Sequence, residues 1–158
     1  MALKVSTGLR NALLNGTTGF KQIMGNGVMD IYSGSQPSNA DAVENGVLLV
    51  RISLNSATCG SGGTGGGTGG TDGINFGTSV AGVIPKDGNT WSGNVIVSGT
   101  AGWFRFYDQN ITQGANGTAV RMDGVCALLG GDLNLANLGM ASTSVITIDS
   151  FEVTMPAY

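Results

Sequence analysis

Residues 99 to 108 read GTAGWFRFYD and hold four of the ten aromatic residues in the chain (two Trp, three Tyr and five Phe in all). Because successive side chains of a β-strand point to opposite faces, Phe104 and Phe106 share one face of this segment. The other face carries Trp103, Arg105 and Tyr107. The pattern predicts a central strand whose phenylalanines belong to the core. The second face, aromatic with one cation, is expected either beneath a second layer of the fold or against a partner.

Strand-like segments separated by turn residues recur about every ten residues over much of the chain. The clearest, VLLVRISL at 47–54, is expected to direct its even-numbered residues into the core. In the last segment, 144–155, the apolar phase changes at Asp149 and Ser150, which indicates a β-bulge or a switch between sheets. Further strands are predicted at 27–33, 74–84, 91–97, 118–123, 125–129 and 132–137. We therefore predict an all-β fold, an antiparallel β-sandwich or jelly roll with one or two short N-terminal helices.

The chain divides into an N-terminal helical segment, residues 1–24, and a single β-sandwich domain, residues 25–158. Short amphipathic helices are predicted at 6–15 and 18–24. They form either a lid on one end of the sandwich or an arm that docks on a neighbouring molecule. Residues 60–73 are mostly glycine and offer few side chains to bury, so they are expected to form a flexible surface loop.

The composition argues against an enzyme. Only 11% of the residues are charged and histidine is absent, which removes the commonest general base and the commonest metal ligand. The 7 basic and 10 acidic residues give a net charge of −3 without a basic patch, unlike a nucleic-acid-binding protein. No apolar segment approaches the length of a membrane span. We expect no catalytic residue, no cofactor, no metal, and neither a nucleic-acid nor a membrane partner.

Two chemical alternatives stay open. Oxygen-rich loops at Asp72–Gly73 and Gly131–Asp132 could hold calcium, although the spacing of an EF-hand is missing. Cys59 and Cys126 could form a disulfide, but we expect two reduced and mostly buried thiols.

Four motifs together resemble a group of small structural proteins of tailed bacteriophages. They are LRNALLNG at 9–16, IYSGSQP at 31–37, GWFRFYD at 102–108 and ITIDSFEVTMP at 146–156. In that group the motifs recur as an LR-x-A-L-L helix, an IYSG-x-x-P turn, an aromatic W-F-R strand and a final strand that ends in proline. The resemblance covers most of the chain apart from the glycine-rich loop, and it implies a virion component without catalytic residues.

Within that group the expected role is a capsid decoration or cement protein that stabilises the phage head. Such a protein would bind the major capsid protein or other virion proteins, and it would reside in the virion after assembly in the host cytoplasm. We expect a homo-oligomer, with a trimer as a guess from capsid symmetry. Candidate interface residues are Leu9, Leu13, Phe20, Ile23, Trp103, Arg105 and Tyr107.

Two other functions are compatible with the sequence. The first is a tail or baseplate adaptor, or a protein associated with a tail fibre. The second is a carbohydrate-binding β-sandwich module that uses Trp91, Trp103 or Tyr107 as a platform for sugar rings.

Overall fold

The computed structural model describes residues 3–59 and 72–155. The predicted glycine-rich loop at 60–73 lies almost entirely outside the described residues. The elements, in chain order, are β1 (Lys4–Val5), α1 (Thr7–Asn15), α2 (Phe20–Ile23), β2 (Val28–Ser33), β3 (Leu48–Leu54), β4 (Val83–Pro85), β5 (Trp91–Asn94), β6 (Gly99–Tyr107), β7 (Arg121–Ala127), β8 (Leu133–Asn134), β9 (Gly139–Met140), β10 (Val145–Ile148) and β11 (Glu152–Thr154).

One large sheet dominates the fold, with the strand order β1-β7-β6-β2-β3-β5-β10. Neighbouring strands along this path are antiparallel. The short β8 adds to β7 in parallel, and β9 pairs with β6. Strands β4 and β11 form a separate two-stranded antiparallel sheet. The predicted all-β class with short N-terminal helices is confirmed, and the arrangement is sandwich-like because further elements pack on a face of the large sheet.

The face of the large sheet that carries Phe104 and Phe106 is the core, as the alternation predicted. Phe151, just before β11, meets Phe104 edge to face with ring centroids 5.5 Å apart. Phe76 stacks on Phe106 at 5.3 Å, and Trp91 of β5 contacts both of these rings. Large aromatic side chains bury much apolar area, so this group of rings is a main source of stability.

The N-terminal helices cover the same core, as expected for a lid. Leu9 is fully buried, and Phe20 of α2 meets Phe76 with ring centroids 5.2 Å apart. The Ser6 hydroxyl caps α1 by accepting a hydrogen bond from the Leu9 amide at 3.1 Å. Strand β1, which the sequence pattern did not predict, pairs this segment with β7. Residues 3–24 are therefore part of the folded body.

The end of the chain switches between sheets where the apolar phase changes. Strand β10 pairs with β5 in the large sheet, whereas β11 pairs with β4. The sequence predicted either a β-bulge or a switch between sheets here, and the structure shows the switch. Asp149 and Ser150 lie between the two strands and are exposed.

Three strand predictions need correction. Residues 118–123 and 125–129 were expected as two strands, but Arg121–Ala127 is one continuous β7 because Gly124 keeps its pairing with Phe104. Residues 74–84 were predicted as strand, but the strand observed there, β4, begins at Val83 and extends to Pro85. In β3, Leu48 and Leu54 are only half buried because they lie at the strand ends. Leu49, on the opposite face, is buried instead.

Candidate functional site

A row of charged side chains crosses the large sheet on the face opposite the aromatic core. Arg51 of β3 lies directly opposite Asp30 of β2, and Asp30 also lies opposite Arg105 of β6. Arg105 in turn lies opposite Asp123 of β7, which is followed by Lys4 of β1. The charge alternates in sign across five adjacent strands. Opposite charges on neighbouring strands favour this pairing register, since a one-residue slip would turn the charges toward the apolar core.

The ion pairs in this row are bidentate and buried. Arg105 donates from Nε and Nη2 to the two carboxylate oxygens of Asp123 at 2.6 and 2.7 Å. Arg51 donates in the same way to Asp30, also at 2.6 and 2.7 Å. The side chains of Asp30, Arg105 and Asp123 have no exposed surface. Removing one partner of such a pair would leave an uncompensated buried charge.

Glu44 connects the row to two loop segments that cover it, residues 40–46 and 112–116. Its Oε1 accepts hydrogen bonds from Arg105 Nη1 at 2.8 Å and from the Tyr107 hydroxyl at 2.7 Å. Its Oε2 accepts from the Gly114 amide at 3.0 Å. One carboxylate therefore binds the sheet and the second loop together.

Arg121 holds the same two loops through their backbone. Its guanidinium donates to the carbonyl oxygens of Ala40, Asp41, Ala42, Thr112 and Asn116. We call Asp30, Glu44, Arg51, Arg105, Arg121 and Asp123 the charged cluster. It contains three acidic and three basic side chains, so its formal charges cancel.

Aromatic side chains fill the space beside the charged cluster. Tyr32 stacks on Trp103 with ring centroids 4.6 Å apart, and the Arg105 guanidinium lies 5.4 Å from the Trp103 ring centre. The hydroxyls of Tyr32 and Tyr107 are 3.3 Å apart. Trp103 Nε1 donates to the carbonyl of Asn45 at 3.2 Å. The hydroxyls of Tyr32 and Tyr107 and the indole N–H of Trp103 are therefore hydrogen-bonded within the chain.

The structure buries four of the seven residues predicted for an interface. Trp103, Arg105 and Tyr107 are fully buried beneath residues 40–46 and not beneath the N-terminal helices. Leu9 is fully buried in the core. Leu13, Phe20 and Ile23 are half buried and pack against that core. Of the seven residues, Trp103, Arg105 and Tyr107 thus lie on the charged face of the large sheet, and the other four lie in or against the aromatic core.

Protonation in the charged cluster follows from burial and hydrogen bonding. Burial opposes ionisation of Glu44, but hydrogen bonds from Tyr107 and the Gly114 amide outweigh it and lower the pKa of Glu44. Burial alone would lower the pKa of Arg105, whereas the hydrogen bonds and charge of Asp123 raise it. Burial, together with Tyr32 and the acidic side chains nearby, raises the pKa of Tyr107. The charged groups are paired and mostly buried, and the cluster connects the sheet to the loops that cover it.

A second polar region is an open groove of about 940 Å³ beside β11. Its acidic lining residues are Asp87, Asp132, Asp149 and Glu152. Asp87 accepts a hydrogen bond from Trp91 Nε1 at 3.0 Å, and Asp132 accepts one from the Val125 amide at 2.9 Å. Among residues 3–59 and 72–155, no group of three or more His, Cys, Asp or Glu side chains could hold a metal ion. The Gly131–Asp132 loop considered for calcium is organised by contacts within the chain.

The proposed platform for sugar rings is not on the surface. Trp91, Trp103 and Tyr107 are each fully buried, so none presents a ring face to a glycan. The observation that favoured carbohydrate binding is therefore overturned for these three residues.

Cys59 and Cys126 are not bonded to each other. The Cys59 thiol donates to the carbonyl of Asp72 at 3.4 Å. Cys126 is buried, and burial raises the pKa of its thiol to about 12, which keeps it protonated and unreactive.

On the surface of the described residues, exposed aliphatic side chains outnumber exposed charged ones. The aliphatic ones are Val5, Leu14, Val43, Val47, Val80, Ile96, Val97, Leu128, Leu129 and Val145. Exposed apolar residues in a chain with few charges are typical of contact surfaces when they group together.

Comparison with known proteins gives no match, whether to a protein family, a curated protein or a solved structure. Within the described part of the chain, no helix is long and apolar enough to span a membrane. The function must therefore be argued from the residues themselves.

The sequence pattern identified one member of the charged cluster, Arg105, and missed the other five. A signal was present: Asp30 and Arg51 interrupt strands that are otherwise apolar, on the side facing away from the core residues. Glu44 and Arg121 carried no comparable signal, because their partners are distant in sequence or lie in loops and come close only in the folded chain.

Proposed function

We propose that this protein is a non-enzymatic structural component of a bacteriophage virion and that its role is capsid decoration. The observation that carries the proposal is the series of four motifs that resembles small phage structural proteins. The motifs fall on α1, the end of β2, β6 and the β10–β11 segment. They thus correspond to the elements that build the core and the sheet, as expected for resemblance between whole folds.

The chemistry of the described residues supports a binding role. The charged cluster is paired and covered, which leaves a surface with few ionised groups and several exposed aliphatic side chains. Cores of protein–protein interfaces are depleted of charged residues in the same way. A decoration protein stabilises a capsid by adding such contacts between subunits.

The buried position of Leu9 changes the expected capsid contact of the N-terminal segment. Leu14 lies near the end of α1 and is 83% exposed. It is the apolar residue of this helix that can contact another protein while the lid stays closed. We therefore assign the contact to Leu14 in place of Leu9.

The location of the protein in purified phage particles tests this proposal. Copy number should be measured by quantitative mass spectrometry and position by electron cryomicroscopy. A capsid decoration protein is expected in hundreds of copies on the head, because icosahedral symmetry repeats each site. Leu14→Ser should reduce occupancy on added-back capsids without changing the melting temperature of the isolated protein.

Other results would contradict the proposal in distinguishable ways. About a dozen copies or fewer, located below the head, would assign the protein to the tail or baseplate. Absence from purified particles would exclude a virion role altogether. If the Leu14→Ser variant occupied the head as fully as the native chain does, the decoration role would stand and the contact assigned to Leu14 would be wrong.

A further inference from the structure

Strand β10 forms one edge of the large sheet, and one of its sides is unpaired by any strand of the described residues. Its partner there is β5, with Ile146 opposite Gly93 and Ile148 opposite Trp91. The Val95 amide donates to the Ser144 carbonyl, so residues with even numbers direct their backbone groups toward β5. The N–H and C=O groups of Val145 and Thr147 therefore point away from the sheet. Within the described residues, no backbone hydrogen bond reaches them.

The edge strands β1, β4 and β11 carry features that discourage pairing with another chain. Strand β1 has only two residues and includes Lys4. In the small sheet, β4 ends in Pro85 and β11 contains the exposed Glu152. Short edges, charges and prolines are common protection against edge-to-edge association. Strand β10, with the sequence VITI, has no charge, no proline and no bulge in its pairing with β5.

The sheet surface beside this edge is exposed and uncharged. Val145 pairs with Asn94, so both side chains lie on the same face, and Ile96 follows two residues later. Val145 and Ile96 are each 57% exposed, and Asn94 and Thr147 are also exposed. The described loops that cover the charged cluster do not extend over this part of the sheet. The free edge is therefore contiguous with an exposed, uncharged patch that includes Val145.

We propose that β10 is a self-association surface, where two copies of this chain pair their β10 strands antiparallel about a two-fold axis. The occupant is a second copy because the strand is self-complementary. With the axis at Ile146, Val145 of each copy lies opposite Thr147 of the other, and both residues present free N–H and C=O groups. The pairing does not place like charges together, because the Asp149 side chains of the two copies lie at opposite ends of the paired strands. The pairing makes one continuous sheet from the two large sheets.

This inference does not depend on the virion role, since it concerns the isolated protein. It assigns β10 as the contact surface of the expected homo-oligomer and predicts an even number of subunits. A two-fold contact would generate dimers, or larger assemblies built from dimers, rather than an isolated trimer.

Charge reversal at Thr147 tests the pairing. Across the two-fold axis the two copies of residue 147 are diagonal neighbours on the same face, about 7–8 Å apart, within reach of long side chains. Thr147→Lys and Thr147→Glu should each weaken self-association by more than about tenfold, because like charges then meet across the axis. A mixture of the two variants should recover dimers, because the charges are then opposite. The measurement is sedimentation velocity of the full-length chain, with circular dichroism to confirm that each variant folds.

Thr154→Lys and Thr154→Glu are the matched controls. Thr154 is an exposed threonine on β11, and its substitution should leave the dimer unchanged. A native chain that stays monomeric at about 0.1 mM, a concentration that would populate even a weak dimer, would overturn the proposal. So would an oligomer that persists in both Thr147 variants, or a mixture of them that stays monomeric. If the Thr147 variants fail to fold, Val145→Ser provides the same test with a neutral side chain, and an unchanged dimer would then count against the proposal.

Discussion

Arg105 is the side chain that connects the central strand to both its neighbour and its covering loop. It forms a bidentate ion pair with Asp123 and hydrogen bonds with Glu44 and the carbonyl of Ala42. We expect Arg105→Leu to lower the free energy of unfolding by about 3–5 kcal/mol, because Asp123 would stay buried without its cation. Urea denaturation at neutral pH measures the change.

Arg10→Leu is the control for the Arg105 prediction. The Arg10 guanidinium donates to the Thr7 hydroxyl on the exposed surface. Its removal should change stability by less than about 0.5 kcal/mol. Equal effects of the two substitutions would show that the buried row does not stabilise the fold more than a surface contact does.

Glu44 makes stability depend on pH. Its pKa in the folded chain lies below its ordinary value of 4.5, so the ionised form stabilises the fold above that pH. This contribution is lost as the pH falls through the lower folded-state pKa. We expect the stability difference between the native chain and Glu44→Gln to be largest near neutral pH and to shrink below 4.5. Denaturation curves recorded across the acidic range check this sign.

Tyr107→Phe provides an independent test of the same group. It removes the hydroxyl that donates to Glu44 at 2.7 Å, one of the causes of the lowered pKa. The pH dependence assigned to Glu44 should therefore become weaker in this variant. A stability difference for Glu44→Gln that stays constant with pH would contradict the assignment.

At the scale of elements, β6 depends on a glycine where it passes the end of β2. A Cβ atom at Gly102 would overlap the carbonyl oxygen of Gly34, next to the register shift between Tyr32 and Ser33. Gly102→Ala should destabilise the fold by about 1–3 kcal/mol, since backbone must move to make room. Thermal unfolding followed by circular dichroism detects this loss.

Gly88→Ala is the matched substitution for comparison. A Cβ atom at Gly88 would meet no heavy atom within 4 Å. Its effect should stay within about 0.5 kcal/mol. A Gly102→Ala variant as stable as Gly88→Ala would mean that the approach of β2 to β6 is looser than the structure shows.

For the molecule as a whole, the sequence predicted the features that follow from the alternation of side chains along one strand. It did not predict the features that depend on contacts between segments distant in the chain. Phe104, Phe106 and the sheet switch near Asp149 follow from the period of the apolar residues along a single strand. The pairing of Asp30 with Arg51 requires the strand register, which local pattern does not specify. The cover over Trp103 comes from a loop 58 residues away in sequence, and no spacing rule predicts such a contact. The aromatic-and-arginine face was therefore recognised as unusual, but its cover was not identified.

The same long-range contacts determine what removal of the N-terminal segment would do. The Ser6 hydroxyl donates to the Ala119 carbonyl at 2.7 Å and accepts from the Arg121 amide at 3.1 Å. Lys4 donates to the carbonyl of Pro37 at 2.7 Å. Deletion of residues 1–24 would break these bonds and expose the core beneath Leu9. We expect the shortened chain to lose its cooperative thermal transition and to bind a hydrophobic dye such as ANS.

The Leu14→Ser variant distinguishes the effect of losing the whole lid from the effect of losing one exposed side chain of α1. Because Leu14 is 83% exposed, this substitution should leave the thermal transition unchanged and add no dye binding. If the shortened chain instead kept a cooperative transition and a native near-ultraviolet circular dichroism spectrum, residues 1–24 would be a separable arm. Their buried contacts would then contribute little to the fold, and the capsid anchor could again include Leu9.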